Sequence, residues 1–229
     1  MNKLTIALII LSFGAGATDA FAFLLLGGIF TANMTGNLIL VGLVQRPDYL
    51  ATLLGASVAI IVFIGALLIA FRLTVRRNGD DAHGPHPRVL RLLALAAAAQ
   101  TIVLLAWVAL GGQAALAPQV VLVALSAVAM ATQTVVSKRV SSMSGVTTTY
   151  VTGTLTSVMQ DIAEGKTGGR AVRIVSVLAL VAGAFAGAVS IVLSPTLGPV
   201  VPWLALVAAT AITIPAVRQA RAQHTARSV

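Results

Sequence analysis

Residues 11–19, LSFGAGATD, recur as residues 125–133, LSAVAMATQ, with five of nine positions identical. A second pair follows in the same order: residues 31–41, TANMTGNLILV, and residues 148–158, TTYVTGTLTSV, with five of eleven identical. Apolar segments rich in Ala and Leu match one another readily, so either pair alone carries little weight. Two pairs in one order, offset by three residues and sharing a Thr-Gly step, point to a duplicated unit. Each copy joins an apolar helix to a polar Thr/Gly break, which is how many transporters and channels are built.

The composition places that unit in a bilayer. Of 229 residues, 58% are hydrophobic and only 9% charged, and the mean hydropathy is +0.99. A soluble domain carries about 25% charged residues to cover its surface. The chain is therefore read as all-α and integral to the membrane, a single membrane domain over residues 1–229. A net charge of +9 could suggest nucleic acid, but the bases stand in short clusters between apolar runs. That is the positive-inside pattern and not a binding stripe, so no nucleic-acid partner is expected. The absence of cysteine excludes thiol chemistry and disulfides. Lys3, the apolar run to Phe13 and Ala20-Phe21-Ala22 resemble a cleavable signal. Cleavage there would destroy the first repeat partner, so the segment is read as the first transmembrane helix.

Six runs are long enough to cross: Leu4–Leu26, Leu50–Phe71, Leu92–Leu110, Gln119–Val136, Ile174–Leu193 and Pro202–Val217. Two others, Thr31–Gln45 and Thr147–Ala163, are shorter or more polar. As a helix the first of these reaches only about 22 Å, against a hydrocarbon core of about 30 Å. The bases decide whether they span. If both short segments re-enter and the N-terminus is cytoplasmic, 14 bases lie inside and only Arg46 outside. If both span, the same residues divide 8 against 7. Orientation follows the Lys/Arg bias of short loops, so six spans with two re-entrant half-helices are expected, both termini cytoplasmic. Tyr49, Trp107 and Trp203 fall near the outer ends, as interfacial rings should. Pro47, Pro118 and Pro202 stand at or near first helical turns, where a missing N–H costs little.

Three spans per copy make the second copy start from the opposite side. The repeats, residues 4–111 and 118–217, are thus expected to be inverted, a 3+3 arrangement with the two half-helices approaching the midplane from opposite faces. Residues 72–91 form one long hydrophilic loop within the first repeat. Asp80, Asp81, His83 and His86 there show no repeated ligand spacing and read as a solvated linker, so no metal or other cofactor is expected.

Asp19 is the only acidic residue deep in a span. A carboxylate at the bilayer centre costs about 2.5–3.5 kcal/mol on insertion scales, so it must face protein or a wet cavity. No base lies at matching depth, which leaves protonation, water, hydroxyls or backbone amides, with Thr18, Asn33, Thr35 and Asn37 nearest. Two readings follow: a proton-titrating or solute-coordinating carboxyl, or a fixed polar clamp on the re-entrant loop. Asn33, Thr35 and Asn37 can cap free backbone amides, and Gly36 permits close approach. Gln133 takes the place of Asp19 in the second copy, which suits one titratable site. Thr147, Thr148, Thr149, Tyr150, Thr152 and Thr154 supply a hydroxyl-rich wall, with Gly153 in the same Thr-Gly-Thr element. Gln100 is read as an interhelical hydrogen bond and Gly183-x-x-x-Gly187 as close helix packing. No catalytic set appears and no phosphate loop, so the chain is not expected to be an enzyme.

Gly14, Gly16 and Asp19, with Phe30-x-x-x-Met34-Thr35-Gly36-Asn37 and Thr149-Tyr150-x-Thr152-Gly153-Thr154, resemble the YoaK family of bacterial inner-membrane proteins over nearly the whole chain. The resemblance implies a multi-pass protein of the bacterial cytoplasmic membrane and supplies no substrate.

The expectation is a transporter or channel for a small solute, with Asp19 and both Thr-Gly elements lining the path. Proton coupling through Asp19 is the leading version and a passive channel the variant. The rival is a non-transporting membrane component, a sensor or assembly partner. The partners expected are the lipid bilayer and a small solute, with a homo-oligomer left open.

Overall fold

The computed structural model describes residues 3–75, 88–141, 151–166 and 168–225. Its elements are all helical: α1 (Lys3–Leu25), α2 (Met34–Gly42), α3 (Tyr49–Leu73), α4 (Val89–Ala109), α5 (Leu116–Ser141), α6 (Val151–Ala163), α7 (Arg170–Leu193) and α8 (Val200–Thr225), with a 3-10 turn at Pro195–Leu197. Among the described residues six segments are long and apolar enough to cross a membrane: α1, α3, α4, α5, α7 and Pro195–Val217. Helices α2 and α6, of 9 and 13 residues, reach only about 14 and 20 Å at 1.5 Å per residue.

The surface is apolar and the interior partly polar, the reverse of a soluble domain. Ile61, Phe185, Val192 and Leu193 stand exposed, whereas Ser12, Thr18, Ser126, Gln133 and Ser137 are buried. Most hydroxyls return to the preceding turn, as Ser12 to the Leu8 carbonyl at 3.2 Å and Thr134 to that of Met130 at 2.7 Å. A polar side chain in lipid must find a partner inside the protein, and the helix's own carbonyls are nearest.

Helices α1 and α5 are the two most buried spans. Helix α1 packs mainly on α7 and α8, and α5 mainly on α3 and α4. The α1–α7 pair is parallel: Phe13 meets Gly183, Ala17 meets Gly187 and Phe21 meets Gly198. The α3–α5 pair is parallel as well. Residues 51–55 face 116–123 at one end, 62–73 face 128–132 further along, and Arg139 Nε donates to Thr74 Oγ1 at 3.2 Å at the other end.

Three apolar layers stack along the bundle. One joins Leu4, Leu8, Val89, Leu92, Val136 and Val217, the middle one Ala15, Phe63, Ala127 and Met130, and the third Phe21, Ile29, Val103, Trp107 and Val123. Consecutive spans therefore alternate in direction. One end of the bundle gathers Lys3, Arg72, Arg88, Arg91, Lys138, Arg139, Arg170 and Arg173, while Arg46 stands at the other. Both ends of the 26–48 connection, which carries α2, meet the bundle at the Arg46 end. Both ends of the connection carrying α6 meet it at the base-rich end.

Two expectations about individual side chains change. Trp107 is at the end assigned to it, but it is 1% exposed. Its indole N–H donates to the Pro195 carbonyl at 2.8 Å and its ring meets Phe21 edge-on at 5.1 Å, so it locks a corner instead of floating at the interface. Gln100, expected to bridge helices, is buried with neither amide atom hydrogen-bonded. The interhelical amide bond belongs to Gln133, whose Nε2 donates to the Leu11 carbonyl of α1 at 3.0 Å. Gly183 and Gly187 do form a close crossing, with α1.

Candidate functional site

Helix α1 ends because Gly27 and Gly28 take φ of 85° and 70°, a left-handed pair that side-chain-bearing residues rarely adopt. The chain then turns back along α1. Asp19, six positions before the helix end, receives it: Oδ1 accepts from the Thr31 and Ala32 amides at 2.8 and 2.7 Å, and Oδ2 from the Asn33 amide at 3.0 Å. Among the described residues no cation pairs with this carboxylate. Three successive amides at the mouth of α2 do what a base would do elsewhere.

Asn37 completes the clamp. Its Oδ1 accepts from the Phe30 amide at 2.9 Å and its Nδ2 donates to the Phe30 carbonyl at 2.6 Å. Asn33 caps α2, accepting from the Gly36 amide at 3.3 Å. Gly36 lies under the Phe30 ring, where a Cβ would approach within 2.7 Å of Cδ2. Asp19, Asn33, Gly36 and Asn37 are thus brought together, as the sequence led one to expect. Thr35 belongs to the same turn but its side chain is exposed.

The second Thr-Gly element is not joined to the first. Helix α6 packs on α7 and α2 on α3. In α6, Thr154 and Val158 are buried while Thr152 and Gly153 are exposed, and Asp161 pairs with Arg173 of α7. Gln133 bonds at Leu11, about two turns along α1 from Asp19. Thr149 and Tyr150 lie outside the described residues.

A cavity of about 410 Å³ opens beside the clamped loop at the Arg46 end, lined by Gly27, Ile29, Arg46, Asp48, Thr52 and Gln119 among others. Its size is that of a small-molecule site. Arg46 Nη1 donates to the Gly28 carbonyl at 3.3 Å and so ties the loop to the cavity. Asp48 has φ 55°, the one left-handed non-glycine among the described residues, and although it is the N-cap of α3 its side chain makes no cap bond. Asp48 and Arg46 thus line the same cavity, and the Asp48 carboxylate is not used for capping. Sequence reading passed these residues over. Arg46 registered only as the single base at its end, yet that isolation, with the Gly27-Gly28 pair, was the available signal.

A bundle of six apolar spans with polar groups buried inside defines a polytopic helical membrane protein. The chain belongs to the family described as "Protein of unknown function (DUF1275)", whose model matches residues 7–214. It is 32% identical over 149 residues to "UPF0700 transmembrane protein YoaK" of Bacillus subtilis (strain 168), covering 65% of this chain and 63% of that protein. No solved structure matches.

Proposed function

We propose that this protein carries a small polar solute across the membrane, with the Arg46–Asp48 cavity as its binding site and the 26–33 turn as its gate. The observation that carries this reading is the shared wall: Gly27 and Ile29 line the cavity, and the same turn hangs on Asp19 by three amide bonds. A solute that offers an acceptor to Arg46 and a donor to Asp48 fits the lining. Asp19 acts as latch and not as ligand. A protonated carboxyl loses acceptor capacity and gains a donor facing three N–H groups, so protonation loosens the gate, which is how flux would couple to protons. Gln100 and Ser126, buried without partners in α4 and α5 at similar depth, favour an interior visited by a hydrogen-bonding guest.

The proposal includes the inverted 3+3 duplication and two re-entrant half-helices. Exchanging α1–α4 with α5–α8 maps the parallel α1–α7 pair onto α5–α3, the α1–α8 contact onto α5–α4, and α2–α3 onto α6–α7. Exposed large apolar side chains on the short helices (Leu38 and Ile39 on α2; Leu155, Met159 and Ile162 on α6) support their placement in the apolar phase. The chain has no native cysteine, so single tags can read this directly. Lys3→Cys, Val75→Cys and Glu164→Cys should label from one face and Gln113→Cys from the other. A Val75 tag opposite to Lys3 would mean that α2 crosses; a Glu164 tag on the Gln113 face would mean that α6 does.

One observation favours the non-transporting rival: the hydrogen-bonding capacity of Asp19, Asn33 and Asn37 is taken up by loop backbone. Proteoliposomes separate the two. Stopped-flow light scattering with urea, glycerol, glycine, formate and nitrate should show at least one solute equilibrating faster than in protein-free vesicles, with the gain lost in Arg46→Gln. The transport reading fails if folded, correctly inserted protein moves none of them.

A further inference from the structure

Helices α3 and α4 each pack mainly on α5. The gap between them is an apolar groove of about 340 Å³, walled by Val62, Ala66 and Ile69 of α3 and Leu92 and Leu95 of α4, and floored by Val128 and Thr132 of α5. Gly65 opens its side, with nothing within 4 Å of where a Cβ would stand. From Val62 to Leu73 the groove runs about 16 Å along α3, the depth of one leaflet. At the base-rich end it leads into a second cavity, of about 610 Å³, lined by Arg72, Val75, Arg88 and Arg91 and sharing Leu73 and Leu92 with the first.

We propose that this continuous cleft binds one anionic phospholipid, its acyl chain in the α3–α4 groove and its phosphate on Arg72 and Arg91, with Arg88 behind them. The charge argues for it. Neither Arg72 nor Arg91 has a carboxylate partner among the described residues, and both are exposed. Arg88 Nη1 donates to the Leu73 carbonyl at 2.6 Å, which fixes the mouth of the cleft. Arg139 stands over the Phe71 ring at 5.5 Å and adds positive potential from α5. Two exposed guanidiniums, Arg72 and Arg91, at the headgroup level with an apolar slot below them match a phosphate and a chain together, which a free anion or a neutral lipid matches only in part. This site is separate from the Arg46 cavity at the other end of the bundle and stands whether or not that cavity transports.

Purified protein in detergent tests the assignment, with thermal stabilisation read against added phosphatidylglycerol, phosphatidylcholine or inorganic phosphate. Phosphatidylglycerol should stabilise at the lowest concentration, and Arg72→Gln and Arg91→Gln should each weaken its effect about fivefold. Ala66→Phe, which fills the groove, should weaken the lipid and leave any response to phosphate unchanged. Arg170→Gln, on α7, should do neither. Equal effects of the two lipids, or phosphate alone matching phosphatidylglycerol, would overturn the proposal. Wild-type protein gives an independent reading that no folding defect can confuse. A phosphatidylglycerol carrying a photoreactive group in its chain should crosslink within residues 62–73 and 92–95; label spread evenly over Phe185, Val192 and the other lipid-facing positions would sink it.

Discussion

Gly183→Ala is expected to melt well below the wild-type protein, because the added methyl has nowhere to go. A Cβ at Gly183 would stand 1.9 Å from the Phe13 carbonyl oxygen and 2.6 Å from its carbon, both backbone atoms of α1. Gly16 faces the same seam, its Cβ falling 2.0 Å from the Leu180 oxygen and 3.0 Å from the Ala184 nitrogen. No rotamer relieves either contact, so the two helices must part along the seam. Overpacking of this kind costs about 1–3 kcal/mol or more, which outweighs the roughly 0.5–1 kcal/mol that alanine gains over glycine in a helix. Gly42→Ala and Gly65→Ala, with nothing within 4 Å, isolate that helical gain and should be neutral or stabilising. Gly16→Ala with Gly183→Ala should cost less than the sum of the two, since one separation serves both. Thermal unfolding followed by size-exclusion recovery checks all five variants, the four single substitutions and the double. Wild-type behaviour of Gly183→Ala would refute the close α1–α7 crossing.

Asp19→Asn comes next in size. An amide has one acceptor oxygen where the carboxylate has two, and its NH2 would face at least one of the amides of Thr31, Ala32 and Asn33 donor to donor. Hydrogen bonds to a charged group contribute about 1.5–3 kcal/mol each, and a buried donor left unmet costs about 1–3 kcal/mol. The loss should appear locally. Hydrogen exchange at residues 31–33 should rise at least tenfold, since about 1.4 kcal/mol is a factor of ten in an opening equilibrium, while α5 and α7 exchange as before. Asp19→Ala should open the turn further. Where flux is measurable, both variants should lose its pH dependence. Unchanged exchange at residues 31–33 would mean that the turn is held by Asn37 alone and that Asp19 is no latch.

The candidate site was legible in part, and the division has a physical basis. An acid in an apolar run is costly enough to announce itself, and Asp19 was marked as either ligand or clamp. The Thr-Gly-Asn turn was recognisable because caps and tight turns use few residue types. What could not be read was the partner. Asp19 is met by main-chain amides, which every residue carries and no sequence distinguishes. The Arg46–Asp48 cavity escaped for a related reason, since ordinary side chains from three segments make it only by converging. Thr35 and Gln133 illustrate the limit from the other side: each is polar at a suggestive position, yet one points outward and the other ties α5 to α1.

By itself the sequence determined a helical membrane protein with six spans and nearly all bases at one end. Hydrophobic length and Lys/Arg bias act through local free energies of transfer, which add along the chain without knowledge of the fold. Tertiary structure alone decided which helices touch, that Trp107 locks a buried corner, that Gln100 stands without a partner, and that α3, α4 and α5 leave an apolar groove between them. Those outcomes depend on how small residues such as Gly16 and Gly183 let two backbones approach. Close approach is a property of pairs of surfaces and cannot be summed from either one.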